Sequence, residues 1–243
     1  MEMLITRPQP DAEATRERLN ALGIEAEIAP MMSRQNLPFN VPSPEGFGAV
    51  ALTSTNALRS LVDADLVAPF VDKPVFAVGD RTANEARALG FSDVTAAEGT
   101  LGTLVTALAR AKPEGPIFYP AGKHLSGDLA GALAPHGHMV VTTPVYEMVA
   151  EETVGPEIVA GLETGKYGAA LFYSRRTAEI FCNLVAPLMT PELRRALPVL
   201  CLSENVASPL LKHHFSRVLL ADHPSEDAMM ALALAFAREQ SGS

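Results

Sequence analysis

Cysteine is nearly absent from this 243-residue chain: Cys182 and Cys201 are the only two. Both sit in apolar surroundings, so they read as packing residues and predict a reducing compartment rather than a disulfide-stapled secreted protein. No run of Lys or Arg occurs, and 28 acidic against 19 basic side chains leave a formal net charge of -9. General nucleic-acid binding relies on counterion release from a basic surface, so that class is excluded, whereas a small anion held by local charge is not. No apolar stretch approaches the ~20 residues that span a bilayer. The opening MEMLITRPQ has neither a basic n-region nor an apolar h-region. A cytoplasmic protein with no nucleic-acid and no membrane partner is expected.

Several chemical signatures are missing as well. There is no GxGxxG after the first apolar run and no GxxxxGK followed by Ser or Thr, which argues against a nucleotide cofactor. A Ser-His-Asp hydrolase needs a GxSxG elbow, and none is present. His213, His214, His223 and Cys201 follow no known ligand spacing, so no metal is expected. Asp63 and Asp65 fall in a polar turn and read as solvated.

What the chain does have is a repeat. Pro74 to Ala97 is echoed by Pro198 to Ala221, with Pro74/Pro198, Val75/Val199, Ala83/Ala207, Phe91/Phe215, Ser92/Ser216, Val94/Val218 and Ala97/Ala221 coinciding without a gap. Met3 to Pro30 parallels Ile117 to Pro144 through Leu19/Leu133, Gly23/Gly137 and Pro30/Pro144, and GAVALTSTNAL from Gly48 parallels GAALFYSRRTA from Gly168. Two similar lobes with a cleft between them are expected. The histidine doublet His213-His214 stands where the first copy has Leu89-Gly90, near a helix end, where a cation suits the dipole.

With 48% hydrophobic and 19% charged residues, the chain can fill one large core or two small ones. Short apolar runs alternate with longer helical patterns, the rhythm of parallel α/β units. The runs predict ten strands: Leu4–Thr6, Glu25–Ala29, Ala49–Thr53, Val75–Val78, Val94–Ala96, Ile117–Tyr119, Met139–Thr143, Ala169–Tyr173, Val199–Leu202 and Val218–Leu220. Two sheets of five follow. A helix over Ala12–Leu22 should turn Leu19 and Leu22 inward and stop at Gly23, with equivalent stops at Gly90 and Gly137. Ser33 to Glu45 holds three prolines and reads as a linker or extended strand. Two domain divisions fit equally: tandem repeats split near Lys112, or a chain that leaves one domain at Met31 and returns at Tyr146.

Ligands of doubly wound sheets bind beyond the carboxyl ends of the strands, near helix N-termini. Four such ends carry suitable residues: Thr53-Ser54-Thr55-Asn56, Gly79-Asp80-Arg81-Thr82, Pro120-Ala121-Gly122-Lys123 and Ser174-Arg175-Arg176. Ser54, Thr82 and Ser174 would serve equally as helix caps. Four of these ends around one cleft point to a small-molecule site.

Taken in order and spacing, ITRP, TSTNAL, AVGDRTANEARALG, YPAGKHLSGDL, PVYEMVA, FYSRRTAEIF and PSEDAMMALALA resemble uroporphyrinogen-III synthase along the full chain. The resemblance implies two flavodoxin-like α/β domains with parallel sheets, joined by a two-stranded β-ladder, the first domain discontinuous. It places domain 1 at residues 1–33 with 150–243, domain 2 at 37–143, and the ladder at 31–36 and 144–149. It further implies a monomeric, cofactor-independent lyase of tetrapyrrole biosynthesis that closes hydroxymethylbilane, a linear tetrapyrrole, to uroporphyrinogen III with loss of water and inversion of ring D. An azafulvene and a spiro-pyrrolenine lie on that route. The family's acid is a tyrosine in a VYE- or VYQ-type motif, here Tyr146; a phenol with an ordinary pKa near 10 is protonated at pH 7 and able to protonate a departing hydroxyl.

By matched position the resemblance makes Arg7, Ser54, Asn56, Thr82, Gly122, Lys123 and Ser174 the substrate-binding set. Charge alone adds Arg81 and Arg175 for the acetate and propionate groups. Three positions depart from the family pattern: Ser126 replaces a basic residue, Val206 stands where a hydroxyl is expected, and Ser174-Arg175 replaces Ser-Pro. Two readings follow: carboxylate binding shifts onto Lys123, His124, Arg175 and Arg176, or the protein is a diverged relative with weakened activity. A non-catalytic tetrapyrrole sensor or carrier on the same scaffold is the alternative function, and a sugar- or nucleotide-binding α/β protein a third.

Overall fold

The structure is a computed structural model in which residues 2–40 and 43–241 are described. Met1, Gly242 and Ser243 of the expected domain ranges, and Val41 and Pro42 of the irregular segment, lie outside the described residues. The chain opens with β1 (Glu2–Ile5), α1 (Asp11–Ala21), β2 (Glu25–Ile28), β3 (Met32–Asn36), β4 (Ala49–Leu52) and α2 (Thr55–Asp63). It continues through β5 (Val75–Val78), α3 (Gly79–Ala88), β6 (Val94–Ala97), α4 (Leu101–Ala111), β7 (Ile117–Gly122), α5 (Leu129–Leu133) and β8 (Val140–Ala150). The remainder is α6 (Pro156–Glu163), β9 (Tyr167–Phe172), α7 (Arg175–Val185), α8 (Pro191–Ala196), β10 (Val199–Cys201), α9 (Glu204–Lys212), β11 (Val218–Leu220) and α10 (Glu226–Ser241).

The chain divides into two compact units, Met1–Ser33 with Val149–Ser243, and Arg34–Met148. In the first unit the sheet order is β11-β10-β9-β1-β2, and every neighbour pairs in parallel. In the second the order is β3-β8-β7-β4-β5-β6, with parallel pairing from β8 to β6. Written from the other end, β6-β5-β4-β7-β8 matches the first sheet strand for strand, as the repeat requires. The expected two sheets of five become five and six because β3 joins the edge of the second sheet beside a β8 that runs on to Ala150. The amide of Leu37 donates to the carbonyl of Val145 at 3.0 Å and that of Glu151 to Met31 at 3.0 Å, a pairing that sets β3 antiparallel to β8.

Both faces of each sheet are covered, which is why the strands read as continuous apolar runs rather than alternating ones. In the first unit, Leu4, Ala170, Phe172, Val199 and Cys201 pack under α6, α7 and α9, while Met3, Ile5, Ala169, Leu171 and Leu200 pack under α1 and α10. Cys182 and Cys201 share the former core, and burial pushes both thiols up to about 12. In the second unit, Val50, Leu52, Ala77 and Phe118 lie under α2 and α3, and Ala49, Ala51, Phe76 and Ile117 under α4 and α5.

Several helix ends follow one recipe. After α1 the amide of Ile24 reaches back to the carbonyl of Leu19 at 2.9 Å and Gly23 adopts φ +76°. This is a Schellman stop, whose hydrophobic contact joins the residue after the glycine to the one five positions before it. Ile24 therefore takes the buried place beside Leu19, and Leu22, expected inside, is 38% exposed. The same bond pattern ends α3 at Gly90 and α9 at His214, where the amides of Phe91 and Phe215 reach back to Ala86 and Leu210. Asp63 is not simply solvated: its carboxylate accepts from Asn36 at 2.8 Å and from Arg34 at 2.7 Å, and these bonds, that of Asn36 first, hold it below the usual carboxylate range.

Candidate active site

Each sheet has one point where the connections change direction, between β1 and β9 in the first unit and between β4 and β7 in the second. There the following helices leave toward opposite faces, α1 and α7 in one unit, α5 and α2 in the other, so the carboxyl ends part into a crevice. Eight of the ten site residues predicted from sequence lie around these two points; Arg81 and Thr82 follow β5, one strand further along.

In the second unit the β4–β7 ladder consists of Ala49 with Ile117 and Val50 with Phe118. Beyond it the strands are bridged by side chains: the hydroxyls of Thr53 and Tyr119 meet at 3.0 Å. Tyr119 is 4% exposed, and burial raises its pKa despite the Thr53 bond, which lowers it; charge on Tyr146 raises it further.

Tyr146 reaches this edge through an irregularity. Ala121 pairs with Pro144 but Gly122 pairs with Tyr146, so Val145 is an extra residue in β8. Such bulges re-aim the side chains that follow. Val145 turns into the core, and the half-buried Tyr146 packs beside it on the same face. The phenol ring then lies over Gly122, and the amide of Lys123 donates to the carbonyl of Tyr146 at 2.8 Å. Gly122, Lys123 and Tyr146 are thus brought together.

Ser54 caps α2 by accepting from the amide of Asn56 at 3.2 Å. The Asn56 side chain in turn donates to the sulfur of Met148 at 3.6 Å, two residues beyond Tyr146, and accepts from Arg59 at 3.0 Å. Thr82 is not a cap: it lies 5% exposed in the first turn of α3, whose N-cap position is Val78. Sequence reasoning missed Glu147, which accepts from Lys123 at 2.9 Å and contacts His124 at 3.3 Å. The Lys123 ammonium holds the Glu147 carboxyl below its ordinary range. It missed Tyr119 too, because the apolar run Ile117–Tyr119 reads simply as strand.

In the first unit Ser174 caps α7, accepting from the amide of Thr177 at 3.1 Å. Arg175 reaches Glu179 at 2.8 Å and Asn205 at 3.2 Å. Arg7 has a different setting from the one expected of a substrate ligand. It is 8% exposed, donates to Thr15 at 3.0 Å, to Glu226 at 2.5 Å and to Asp11 at 3.3 Å, and stacks 4.1 Å above the Tyr173 ring. Burial, then the charge of Glu226, raises the Tyr173 pKa.

The family description "Uroporphyrinogen-III synthase HemD" matches residues 13–231. No curated protein matches. Among solved structures, a uroporphyrinogen-III synthetase from Helicobacter pylori is 18% identical with TM-score 0.67, the alignment covering 96% of this chain and 98% of the other. A mutant uroporphyrinogen III synthase from Thermus thermophilus is 20% identical with TM-score 0.55, covering 100% of both chains. At such identities the structural likeness shows the fold; the match across nine-tenths of the sequence shows more, and the chain belongs to the uroporphyrinogen-III synthase family, lyases of tetrapyrrole biosynthesis.

Proposed function

We propose that Tyr146 is the proton donor in the closure of hydroxymethylbilane to uroporphyrinogen III, acting without a cofactor in a monomeric cytoplasmic protein. The domains of this reading are residues 1–33 with 150–243 and 37–143, joined through 31–36 and 144–149. The observation that carries it is the Tyr146 ring, set over Gly122 by a bulge at the carboxyl edge of the direction-change point. The phenol there carries an O–H that can serve as a proton donor and is shielded on one side by core residues.

In the first step the Tyr146 O–H proton passes to the ring-A hydroxyl oxygen. The carbon–oxygen bond breaks, its electron pair leaves with water, and the pyrrole nitrogen lone pair forms the azafulvenium. That electrophile attacks ring D at its substituted carbon, and the spiro intermediate rearranges before the ring closes. The proton released at closure restores the phenol. Excluding water and holding the chain ends together is the rest of the task, since well-oriented intramolecular reactions reach effective molarities of ~10⁵ M and above.

The acetate and propionate groups are bound by the Lys123, Arg81 and Arg175 cations and by Ser54, Asn56, Thr82, Ser174 and the backbone at Gly122. Arg7 has the weakest support, because its donors are already engaged by two carboxylates and a hydroxyl. The test couples the purified protein to a source of hydroxymethylbilane and separates the isomers. Mainly type III is expected, and type I alone at the uncatalysed rate overturns the reading. Tyr146→Phe should lower kcat by about ten- to a thousandfold with the fold intact; unchanged turnover removes Tyr146 from the acid role.

A further inference from the structure

The crevice of the first unit is filled by the chain itself. Arg7 and Tyr173 follow the carboxyl ends of β1 and β9, and Thr15 belongs to α1. All three act on one carboxylate, that of Glu226 at the start of α10. Arg7 donates from Nη1 to its Oε2 at 2.5 Å, while Thr15 and Tyr173 donate to its Oε1 at 3.2 Å and 3.1 Å. Both oxygens are thus satisfied, by one cation and two hydroxyls from three different elements.

The donors are tied to one another as well as to Glu226. Arg7 Nη1 also donates to the Thr15 hydroxyl at 3.0 Å, and the guanidinium lies 4.1 Å above the Tyr173 ring. Thr15 in turn bonds the Asp11 backbone carbonyl at 3.0 Å. Asp11, the other charged group on Arg7, holds Nη2 at 3.3 Å and leaves Nη1 to the guest. Thr15 is fully buried and Arg7 is 8% exposed, whereas the Glu226 side chain is 30% exposed. The carboxylate therefore enters a buried cradle from the solvent side.

From its Cα outward a glutamate side chain is a propionate group, and propionates and acetates are what hydroxymethylbilane carries on its pyrroles. We infer that Arg7, Thr15 and Tyr173 form a binding site for an alkyl carboxylate of the acetate or propionate class, which Glu226 occupies as an internal ligand and withholds from the substrate. That the withheld guest is a substrate carboxylate rests on the proposed cyclisation; the site itself does not. This explains how Arg7 stands at a substrate-binding position of the family with its donors engaged: the chemistry that engages them is the substrate's own.

The experiment is chemical rescue on the intact chain. Glu226→Ala removes one methylene and a carboxylate, a fragment the size of acetate, and should lower Tm by roughly 4–8 °C. For a dissociation constant of about 10 mM, sodium acetate at about 100 mM should restore roughly 3–6 °C, and sodium chloride of equal ionic strength none. The wild type, its site filled, should not respond to acetate. Combining Arg7→Ala with Glu226→Ala should abolish the rescue. In acetate-free buffer, Glu226→Ala should lower KM for hydroxymethylbilane by about two- to fivefold, because Arg7 is released.

No rescue, rescue by chloride as well, or rescue that survives the loss of Arg7 overturns the inference, and so does a KM that does not fall. If Glu226→Ala recovers no fold in either salt, Glu226→Gln decides: its neutral amide holds Arg7 less strongly than a carboxylate, so acetate raises its Tm or the inference fails. A wild type that makes no type III isomer defeats the proposed cyclisation while acetate rescue still stands, so the two failures are distinct.

Discussion

The Tyr146 ring fills the space that a side chain on Gly122 would need: an added Cβ would stand 3.0 Å from Cζ and 3.1 Å from the phenol oxygen. A methyl group at Gly122 must therefore displace the ring, which is only half-buried and free to yield. Gly122→Ala should cost little stability, about 1 kcal/mol, at the low end for overpacking. Its effect on turnover should be larger, roughly tenfold or more, since misplacement near 1 Å can cost ~10²-fold. Thermal melting together with the coupled assay checks both, and full kcat with a shifted ring would detach the placement of Tyr146 from catalysis.

Arg7 offers a second discrimination. Its side chain is 10% exposed and paired with Glu226, itself 30% exposed, and with Asp11. Removing one partner of a largely buried pair strands the carboxylates, so Arg7→Ala should destabilise the first unit by about 2–4 kcal/mol. Arg7→Lys should recover little, because an ammonium cannot reproduce the forked bonds or lie flat over Tyr173. Denaturant unfolding with a KM measurement separates the roles. A raised KM at unchanged stability would make Arg7 a substrate ligand rather than a tie between α1, Tyr173 and α10.

The repeat and the apolar runs made the two parallel sheets legible, since strands buried on both faces announce themselves by continuous hydrophobicity. The strand β3 (MSRQN) has no apolar run and could be expected only from the resemblance, which implied a ladder at 31–36; it is held by backbone pairing and by the contacts of Arg34 and Asn36 with Asp63. Leu22 obeys helical spacing yet faces outward, since the stop at Gly23 hands the buried place to Ile24. At the site, Ser54, Asn56, Gly122 and Lys123 could be placed from strand ends alone. The closeness of Tyr146 to Gly122 could not, for it depends on one extra residue in β8, and a bulge leaves no period in the sequence. The bond between Thr53 and Tyr119 joins residues 66 apart, beyond any local pattern.

Glu147 restrains Lys123, and that restraint is measurable. Its folded pKa is lowered, first by the Lys123 bond. A lowered carboxylate contributes interaction that is complete above the unfolded value near 4.3 and is lost as pH falls through the folded value. At neutral pH the pair is therefore intact and competes with a substrate carboxylate for the ammonium. Glu147→Gln should lower KM by roughly two- to fivefold, the worth of a surface pair, with kcat little changed. A KM that rises or stays constant would show that Lys123 does not bind the substrate.

The repeat itself supplies the last prediction. Its two copies end equivalent helices differently, α3 on Gly90 at φ +98° and α9 on His214 at φ +68°. A left-handed backbone is open to glycine and costs a residue with a Cβ about 1 kcal/mol, while glycine loses more freedom on folding. The first effect outweighs the second at a helix stop, so His214→Gly should stabilise the protein by about 0.5–1 kcal/mol, a rise of roughly 1–4 °C in Tm. Gly90→His makes the reciprocal change and should destabilise by a similar or larger amount, because the Cβ would also meet the Val71 side chain at 3.4 Å. Neither site touches Tyr146 or its neighbours, so kcat should hold in both. A His214→Gly protein that melts lower would mean the imidazole contributes more at the negative end of α9 than its backbone strain costs.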